Sequence, residues 1–254
     1  MTRFAIIDIE TTGIQFKQGK ITEIAILIYQ NGQIVDQFES LINPETSIPF
    51  EITRITGITN EMVEQAPKFY EVAKKILEIT HDAIFVAHNV QFDYSFVKEE
   101  FSALGYSFSR KKLCTVQLSR KHFPGLKSYA LGNLIKHFNI EVTDRHRAYQ
   151  DALATSKLFH LILHANDHAT DFMNQLVSNV KDAKLPGSLK RADVDAIPDE
   201  VGVYYMCNEA GDYVYIGKSI NIRERIYQHF SETGYKVSKM LRQVHRLEYT
   251  LTGS

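Results

Sequence analysis

Apolar residues in the first 41 positions fall into three runs that are typical of β-strands. Phe4–Glu10, Ile21–Tyr29 and Gln33–Leu41 are rich in β-branched and aromatic residues, which favour extended backbone. Asn31-Gly32 separates the last two runs, and this dipeptide is typical of a tight hairpin turn. The pattern predicts that the chain begins with three strands, two of which form a hairpin.

Helical spacing of apolar residues begins near residue 60 and alternates with short apolar runs. Ala83–Ala87 predicts a further strand, and Lys112–Leu118 fits either a strand or the start of a helix. Thr59 and Ser128 are candidate N-caps of two of the helices. Strands followed by alternating helices and strands indicate an α/β fold with a mixed sheet flanked by helices. The predicted helices are Asn60–Leu77, Phe92–Leu104, Leu126–His137 and Ala148–His164.

The composition changes over residues 166–197, where the chain becomes more polar and carries Pro186-Gly187. We interpret this stretch as a linker with one weak helix, Thr170–Ala183. A new pattern of strands and helices follows it. The chain is therefore predicted to hold a first domain over residues 1–165 and a small second domain over residues 198–254.

Composition and charge narrow the possible partners. The chain has 254 residues, is 44% hydrophobic and has a formal net charge of -1, the balance of an ordinary soluble protein. No apolar run reaches the roughly 18 residues that cross a bilayer, and the N-terminus lacks a signal-peptide pattern, so no membrane partner is expected. Cys114 and Cys207 are the two cysteines, which argues against a disulfide framework and predicts a cytoplasmic protein. Residues 213–254 hold 7 Lys/Arg against 3 Asp/Glu, an excess that permits a nucleic-acid partner.

Two carboxylates interrupt the first apolar run. Side chains alternate between the two faces of a strand, so Asp8 and Glu10 share a face with Phe4 and Ile6. Two acids about 7 Å apart on a central strand repel each other and lose hydration. A positive group is needed beside them, and the residues alone allow either Arg or Lys partners or divalent cations.

Further acids come from two other segments. AHNVQFD follows an apolar run and places Asp93 near a helix start, and RHRAYQDA places His146 five residues before Asp151. Carboxylates are hard oxygen ligands that suit Mg²⁺ or Mn²⁺, so the combination indicates a two-metal phosphodiesterase site. His146 is the candidate general base that deprotonates water. The candidate metal ligands are Asp8, Glu10, Asp93 and Asp151.

The motifs DIETTG, HNVQFD and HRAYQD, in this order, resemble those of the DEDDh 3′–5′ exonucleases, and most closely those of bacterial proofreading exonucleases. The resemblance covers about residues 1–165. It implies a ribonuclease-H-like fold, two divalent cations and release of nucleoside 5′-monophosphates from a 3′ end. It also implies that the four acids bind the metals and that His146 is the base. Thr11, Thr12 and Ile14 correspond to the residues that hold the terminal nucleotide.

Residues beside these motifs allow two interpretations each. Asn89 precedes Asp93 and either binds substrate or caps the following helix. Arg145 and Arg147 flank His146 and either contact phosphate or form a solvated pair.

The second domain carries another nuclease pattern. GVYYM (202–206) and VYIGK (214–218), followed by SINIRERIYQHF, resemble the GIY-YIG nucleases, in the version of the bacterial excision-repair incision subunits. Tyr204, Tyr215 and Arg225 are implied to be catalytic, and Lys218 is implied to contact substrate. A tyrosine can act as a base where nearby cations lower its pKa, and Lys218 and Arg225 would supply such charge. His229 stands where members of the family carry Tyr or His.

One feature of that family is missing from the pattern. The family's metal-binding Glu follows the third strand, here predicted over Leu247–Leu251, and Glu248 lies too early to match it. We therefore expect an incomplete GIY-YIG module and no GIY-YIG endonuclease activity in this chain.

Three functional interpretations follow from these patterns. The leading one is a 3′–5′ exonuclease that acts on DNA with a 3′ end in repair or proofreading, and an exoribonuclease is a variant with the same chemistry. The second is a nucleic-acid-binding platform without turnover, although a pure binder has no need of mutually repelling buried acids. In the third, the linker helix Thr170–Ala183 docks a repair or replication protein.

Overall fold

The computed structural model describes residues 2–142, 147–165, 185, 188–231 and 235–252. These residues belong to two compact units, one built on a five-stranded sheet and the other on a three-stranded sheet. The candidate base His146 and the predicted linker helix Thr170–Ala183 lie outside the described residues.

The sheet of the first unit is mixed. Its strands are ordered β3-β2-β1-β4-β5. β1, β2 and β3 are antiparallel neighbours, whereas β4 pairs parallel to β1 and β5 pairs parallel to β4. This arrangement confirms the predicted mixed α/β sheet and makes β1 the central strand. The strands are β1 (Arg3–Thr11), β2 (Ile21–Gln30), β3 (Gln33–Leu41), β4 (Ala83–Ala87) and β5 (Lys112–Cys114).

Helices flank this sheet, and none of the helices formed by the described residues is long and apolar enough to cross a membrane.

The bounds of β3, β4 and α7 are those predicted from the sequence, and the undecided segment near residue 112 forms β5 and then α5. The helices of the first unit are α1 (Phe50–Thr56), α2 (Asn60–Glu64), α3 (Phe69–Ile79), α4 (Val90–Ala103), α5 (Thr115–His122), α6 (Leu131–His137) and α7 (Ala148–His164).

Two expectations about helices were wrong, and one helix was missed. The single helix predicted from Asn60 is divided into α2 and α3, because Pro67 cannot continue a helix ladder. The helix predicted from Leu126 begins at Leu131, and Ser128 accepts a hydrogen bond from Ala130 N–H in the preceding turn instead of capping the helix. α1 was not predicted, and it ends at Gly57 in the left-handed conformation.

The long helix α7 packs against β1 and β2 through a continuous apolar cluster. Phe159 is fully buried, and its ring centroid lies 5.0 Å from that of Phe4 and 5.7 Å from that of Tyr29, both in edge-on geometry. Edge-on aromatic pairs contribute about 0.5–1.5 kcal/mol beyond the burial of their area. This contact sets the position of α7 along β1.

The second unit has an antiparallel sheet in the order β7-β6-β8. Its apolar core includes Leu189, Val194 and Ile197, so packing of this unit begins inside the stretch interpreted as a linker. The short helix α8 in that stretch was not predicted. The elements are α8 (Arg191–Asp195), β6 (Gly202–Cys207), β7 (Tyr213–Ser219), α9 (Ile222–Ser231), α10 (Tyr235–Leu241) and β8 (Arg246–Leu251).

We expect Phe159→Ala to lower the free energy of unfolding by about 3–5 kcal/mol, because the change leaves a cavity beneath the sheet. Urea denaturation followed by circular dichroism measures the loss. Leu161→Ala on the same helix is the control, since Leu161 is 37% exposed, and it should cost less than about 1 kcal/mol. Equal losses in the two variants would contradict the assigned packing.

Candidate active site

Three carboxylates converge at one end of the central strand. Asp8 and Glu10 share a face of β1 with Phe4, which packs against α7, and Asp151 lies in the first turn of α7. One oxygen from each of these three acids lies within 4.8 Å of the other two. Asp151 is buried, whereas Asp8 and Glu10 are partly exposed.

The packing of α7 on β1 explains why these acids meet. Phe159 contacts Phe4 and lies eight residues after Asp151, a distance of about 12 Å along a helix. Asp8 lies four residues after Phe4, a distance of about 13 Å along a strand. Because the two lengths match, an α7 that runs opposite to β1 carries Asp151 to Asp8 once the two phenylalanines are packed.

Asp93 supplies a fourth acid from the first turn of α4, and it is buried. It lies outside the compact group of three, but its charge contributes to raising the pKa of Asp8. Burial raises the pKa of Asp93 itself, and hydrogen bonds from the backbone of Asp93 and Ile9 oppose that rise. Since Ile9 lies between Asp8 and Glu10, the Asp93 carboxylate is held against the same stretch of β1.

The acids repel one another in a poorly solvated place. Burial, and then the charges of Asp93 and Asp151, raise the pKa of Asp8 well above its ordinary value. Burial and then the charge of Asp151 raise the pKa of Glu10 to about 7. Burial raises the pKa of Asp93 to about 8. Crowded hard oxygen donors that resist losing their protons fit a divalent cation such as Mg²⁺ or Mn²⁺, whose charge offsets the repulsion.

An ion pair between a buried glutamate and a partly exposed arginine lies beside this site and was not predicted. Glu23 on β2 stands opposite Glu10 in the register and is 1% exposed. Its Oε1 accepts hydrogen bonds from Arg147 Nη2 at 2.5 Å and Nε at 3.0 Å, and its Oε2 accepts one from Ala148 N–H at 2.8 Å. Arg147 therefore does not form the solvated pair with Arg145 that was one interpretation, while its contact with phosphate stays a prediction. Arg145 lies outside the described residues. A glutamate inside the apolar run ITEIAILIY signals a buried charge that needs a partner, but it does not identify that partner.

The loop after β1 is closed by hydrogen bonds at its base. Thr12 N–H donates to Lys20 O at 2.8 Å, and Lys20 N–H donates to Thr12 Oγ1 at 2.9 Å. Thr11 Oγ1 donates to Gly13 O at 2.7 Å. Both threonine hydroxyls thus shape the loop, whereas the side chain of Ile14 is 81% exposed. Contact of these residues with substrate stays a prediction.

Asn89 has a left-handed backbone conformation, with φ 74° and ψ 53°, immediately before α4. Its side chain is exposed and makes no capping hydrogen bond, so the capping interpretation is wrong. The neighbouring His88 is anchored by Thr115 Oγ1 and Tyr129 O, each 2.9 Å from a ring nitrogen. Asn89 therefore projects from a fixed stretch of backbone and stays a predicted substrate contact.

The second unit contains a buried tyrosine–histidine pair. Tyr204 is fully buried, and its hydroxyl lies 2.7 Å from His229 Nε2. The ring of Tyr215 lies 6.0 Å from that of Tyr204 and 4.7 Å from that of His229. Gly217 stands opposite Tyr204 in the register, and a Cβ at this position would overlap the Tyr204 ring. Only glycine leaves space for that ring.

The charges near Tyr204 differ from the expectation. Burial raises the pKa of Tyr204, and Arg225 opposes that rise only in part. Arg225 thus acts in the expected direction, but the pKa of Tyr204 lies above its ordinary value in this conformation. Lys218 is exposed and pairs with Val203 in the register. Arg225 therefore acts on Tyr204, whereas Lys218 stands opposite Val203, the residue before Tyr204, with its side chain exposed.

Glu248 is not a partner of Tyr204. It pairs with Tyr205 in the register and forms an ion pair with Arg246 at 2.7 Å. Because neighbouring residues of a strand point to opposite faces, Glu248 lies on the other face of the sheet from Tyr204. This agrees with the expectation that Glu248 does not fill the metal-binding position.

Family comparisons match both parts of the chain. Residues 5–159, more than half of the sequence, match the family model described as Exonuclease. The chain belongs to the exonuclease family. Residues 200–254 match a second family model, the UvrC-like GIY-YIG domain. Both resemblances inferred from the motifs are confirmed.

Curated relatives of this exonuclease-family chain are much longer proteins. It is 41% identical over 156 residues to the PolC-type DNA polymerase III of Caldanaerobacter subterraneus subsp. tengcongensis, covering 61% of this chain and 11% of the polymerase. It is 43% identical over 163 residues to the 3′-5′ exonuclease DinG of Bacillus subtilis, covering 63% of this chain and 18% of DinG. The chain thus spans less than a fifth of the length of these two relatives.

Solved structures agree with the fold. Exonuclease X in complex with 5′ overhanging duplex DNA is 28% identical with a TM-score of 0.53, and the match covers 65% of this chain and 93% of that one. E. coli Exonuclease I in complex with a dA16 oligonucleotide is 17% identical with a TM-score of 0.63, and the match covers 81% of this chain and 48% of that one. The second likeness concerns the fold alone.

We expect Asp8→Asn to stabilise the metal-free protein near pH 8. The pKa values of Asp8, Glu10 and Asp93 are raised in the folded state, so the folded protein holds these protons more tightly than the unfolded chain does. The contribution of these protons to the free energy of unfolding is fully present below about pH 4 and is lost as the pH rises through about 7 to 8. Removing one of these charges should make this loss smaller, and each ~1 kcal/mol regained should raise Tm by about 2–4 °C.

Calorimetry in EDTA at pH 5 and pH 8 measures this effect. Glu64→Gln, which removes an exposed carboxylate on α2, is the control and should keep the parent's pH dependence. An Asp8→Asn protein that melts below the parent at pH 8 would show that the acids do not repel each other in the folded state.

Proposed function

We propose that residues 1–165 form a metal-dependent 3′–5′ exonuclease domain that hydrolyses the phosphodiester bonds of DNA from a 3′ end and releases nucleoside 5′-monophosphates. The observation that carries the proposal is the convergence of Asp8, Glu10 and Asp151, with oxygens within 4.8 Å of one another. Membership of the exonuclease family supports it. The names of the relatives, a DNA polymerase and a 3′-5′ exonuclease, favour a role in DNA repair or proofreading.

Asp8, Glu10, Asp93 and Asp151 are proposed to hold two divalent cations, Mg²⁺ or Mn²⁺. Such cations, when bound, supply the positive charge that stabilises negative charge developing on the phosphate oxygens. Asp8 and Glu10 hold their positions because β1 is the central strand, and Asp151 because α7 is packed on that strand. A rigid support of this kind keeps ligands within the narrow tolerance that catalysis needs.

The other proposed roles concern the substrate and the proton. His146, which directly precedes Arg147 in the sequence, is proposed to accept a proton from the attacking water. Ile14, with its exposed side chain, is proposed to pack against the terminal nucleotide. Thr11 and Thr12 shape the loop that presents Ile14, and Asn89 contacts the substrate from the start of α4.

A role in binding nucleic acid is proposed for the second unit. Arg225 and the exposed Lys218 offer positive charge near the buried Tyr204 and its neighbour Tyr215, and cations of this kind contact phosphate. Tyr204 would act as a base only where its pKa is lowered, which Arg225 does not achieve against burial. We expect no GIY-YIG endonuclease activity from this chain.

A 5′-labelled single-stranded DNA oligonucleotide tests the exonuclease proposal. With Mn²⁺, the parent should shorten it in steps from the 3′ end and release mononucleotides, and EDTA should stop the reaction. Asp8→Asn should be inactive because a ligand is lost, whereas the control Glu64→Gln should match the parent. Binding of DNA without shortening would favour a binding platform, and shortening of RNA alone would make RNA the substrate.

We expect His146→Ala to lower the exonuclease rate by about 10²–10⁴-fold, the usual contribution of a general base. Its affinity for Mn²⁺, measured by calorimetric titration, should stay within about threefold of the parent's, because His146 is not a proposed ligand. A parent-like rate in this variant would assign the base to another group.

A further inference from the structure

Glu23 is a buried carboxylate that the proposed chemistry does not use. It is 1% exposed and stands opposite Glu10 across β1 and β2. Its charge raises the pKa of Glu10, whereas that of Arg147 lowers it. A buried charge of this kind is costly unless it is paired and fully hydrogen-bonded.

Both oxygens of Glu23 are occupied by groups of one short segment. Arg147 donates to Oε1 through Nη2 and Nε, and Ala148 N–H donates to Oε2. A planar guanidinium that grips a carboxylate through two nitrogens fixes its direction as well as its distance. Glu23 is also absent from the group of acids whose oxygens lie within 4.8 Å of one another. Its lone pairs are therefore directed at the chain rather than towards the proposed cations.

The segment that Glu23 holds is the start of α7. Arg147 is the N-cap residue, and no side chain of the helix itself caps this end. The carboxylate of Glu23, on β2, caps this helix end instead, and its negative charge also interacts favourably with the helix dipole. Asp151 lies one turn further on, and its N–H donates to Arg147 O at 3.1 Å.

We propose that Glu23 is a positioning residue of the metal site: through Arg147 and Ala148 it sets the distance from Asp151 to Asp8 and Glu10. The inference rests on the proposed exonuclease site. The apolar contact between Phe159 and Phe4 fixes the more C-terminal part of α7 against β1. Glu23 fixes the N-terminal end of α7, which carries Asp151. Loss of Glu23 leaves the fold but loosens the cation site.

Manganese affinity and steady-state kinetics of Glu23→Gln test the proposal. The amide replaces one acceptor oxygen with a donor, so one of the bonds to Arg147 or Ala148 is lost. We expect Mn²⁺ affinity to fall by about 10–100-fold, the usual effect of removing a residue that orients a metal ligand. At saturating Mn²⁺ we expect kcat to fall as well, with KM for the oligonucleotide within about twofold of the parent's.

Glu39→Gln is the matched control. Glu39 lies on β3 opposite Ala25, and its charge acts on Arg147 from nearby, but the contacts of the described residues include no hydrogen bond between the two. Removing this charge should leave Mn²⁺ affinity and kcat within about twofold of the parent's. Equal losses in Glu39→Gln and Glu23→Gln would mean that only the net charge matters, and would overturn the proposal.

Arg147→Lys separates positioning from direct metal binding by Glu23. It keeps the charge but loses the two parallel hydrogen bonds of the guanidinium, so positioning predicts weaker Mn²⁺ binding in this variant. The double variant with Glu23→Gln and Arg147→Lys should then bind Mn²⁺ no more weakly than Glu23→Gln alone. Parent-like affinity in Arg147→Lys would overturn the proposal in favour of Glu23 as a ligand. If Glu23→Gln does not fold, Arg147→Lys decides the question by the same readout.

The two proposals fail differently. Mn²⁺ titration followed by electron paramagnetic resonance needs no turnover, so weaker binding in Glu23→Gln supports positioning even if the parent degrades no DNA. An active parent whose Glu23→Gln variant keeps its Mn²⁺ affinity and kcat refutes positioning and leaves the exonuclease proposal intact. A parent that binds no Mn²⁺ overturns both.

Discussion

Mutual repulsion among crowded carboxylates is the constraint around which the first unit is organised. Asp8, Glu10 and Asp151 have oxygens within 4.8 Å of one another, and their poorly solvated surroundings weaken the screening of their charges by water. No local preference of the chain favours such an arrangement, so the acids have to be held together by interactions elsewhere. Apolar packing of α7 on β1 provides this support, with Phe159 against Phe4 as its central contact.

The ion pair between Glu23 and Arg147 complements that packing at the end where apolar groups are absent. Phe4 and Ile6 give way to Asp8 and Glu10 along one face of β1, so the hydrophobic contact stops where the site begins. There the sheet meets the helix through charge and hydrogen bonds. Beside the acids proposed to bind cations, Glu23 is thus neutralised by a side chain of the protein, Arg147.

Much of this fold could be predicted because its signals are local. The apolar runs of β1 to β4 and the spacing of α7 are continuous in the sequence, and Asp8 and Glu10 stand out inside one of them. The pairing of Glu23 with Arg147 could not be predicted, since 124 positions separate the two residues and either could have been solvated. The depth at which Tyr204 is buried was equally hidden, because it depends on the space left by Gly217 on the adjacent strand.

The hydrogen bonds between Thr12 and Lys20 have a consequence for how this family can vary. They fix the two ends of the segment between them, and the salt bridge from Lys20 to the largely buried Glu100, at 3.0 Å, ties the second end to α4. The entropy of closing a loop grows only slowly with its length. Residues can therefore be inserted between these ends at little entropic cost, although Gly19 itself is constrained by the Phe96 ring beside it. The length of this loop, and with it the position of Ile14, can therefore change while the acids on β1 stay in place.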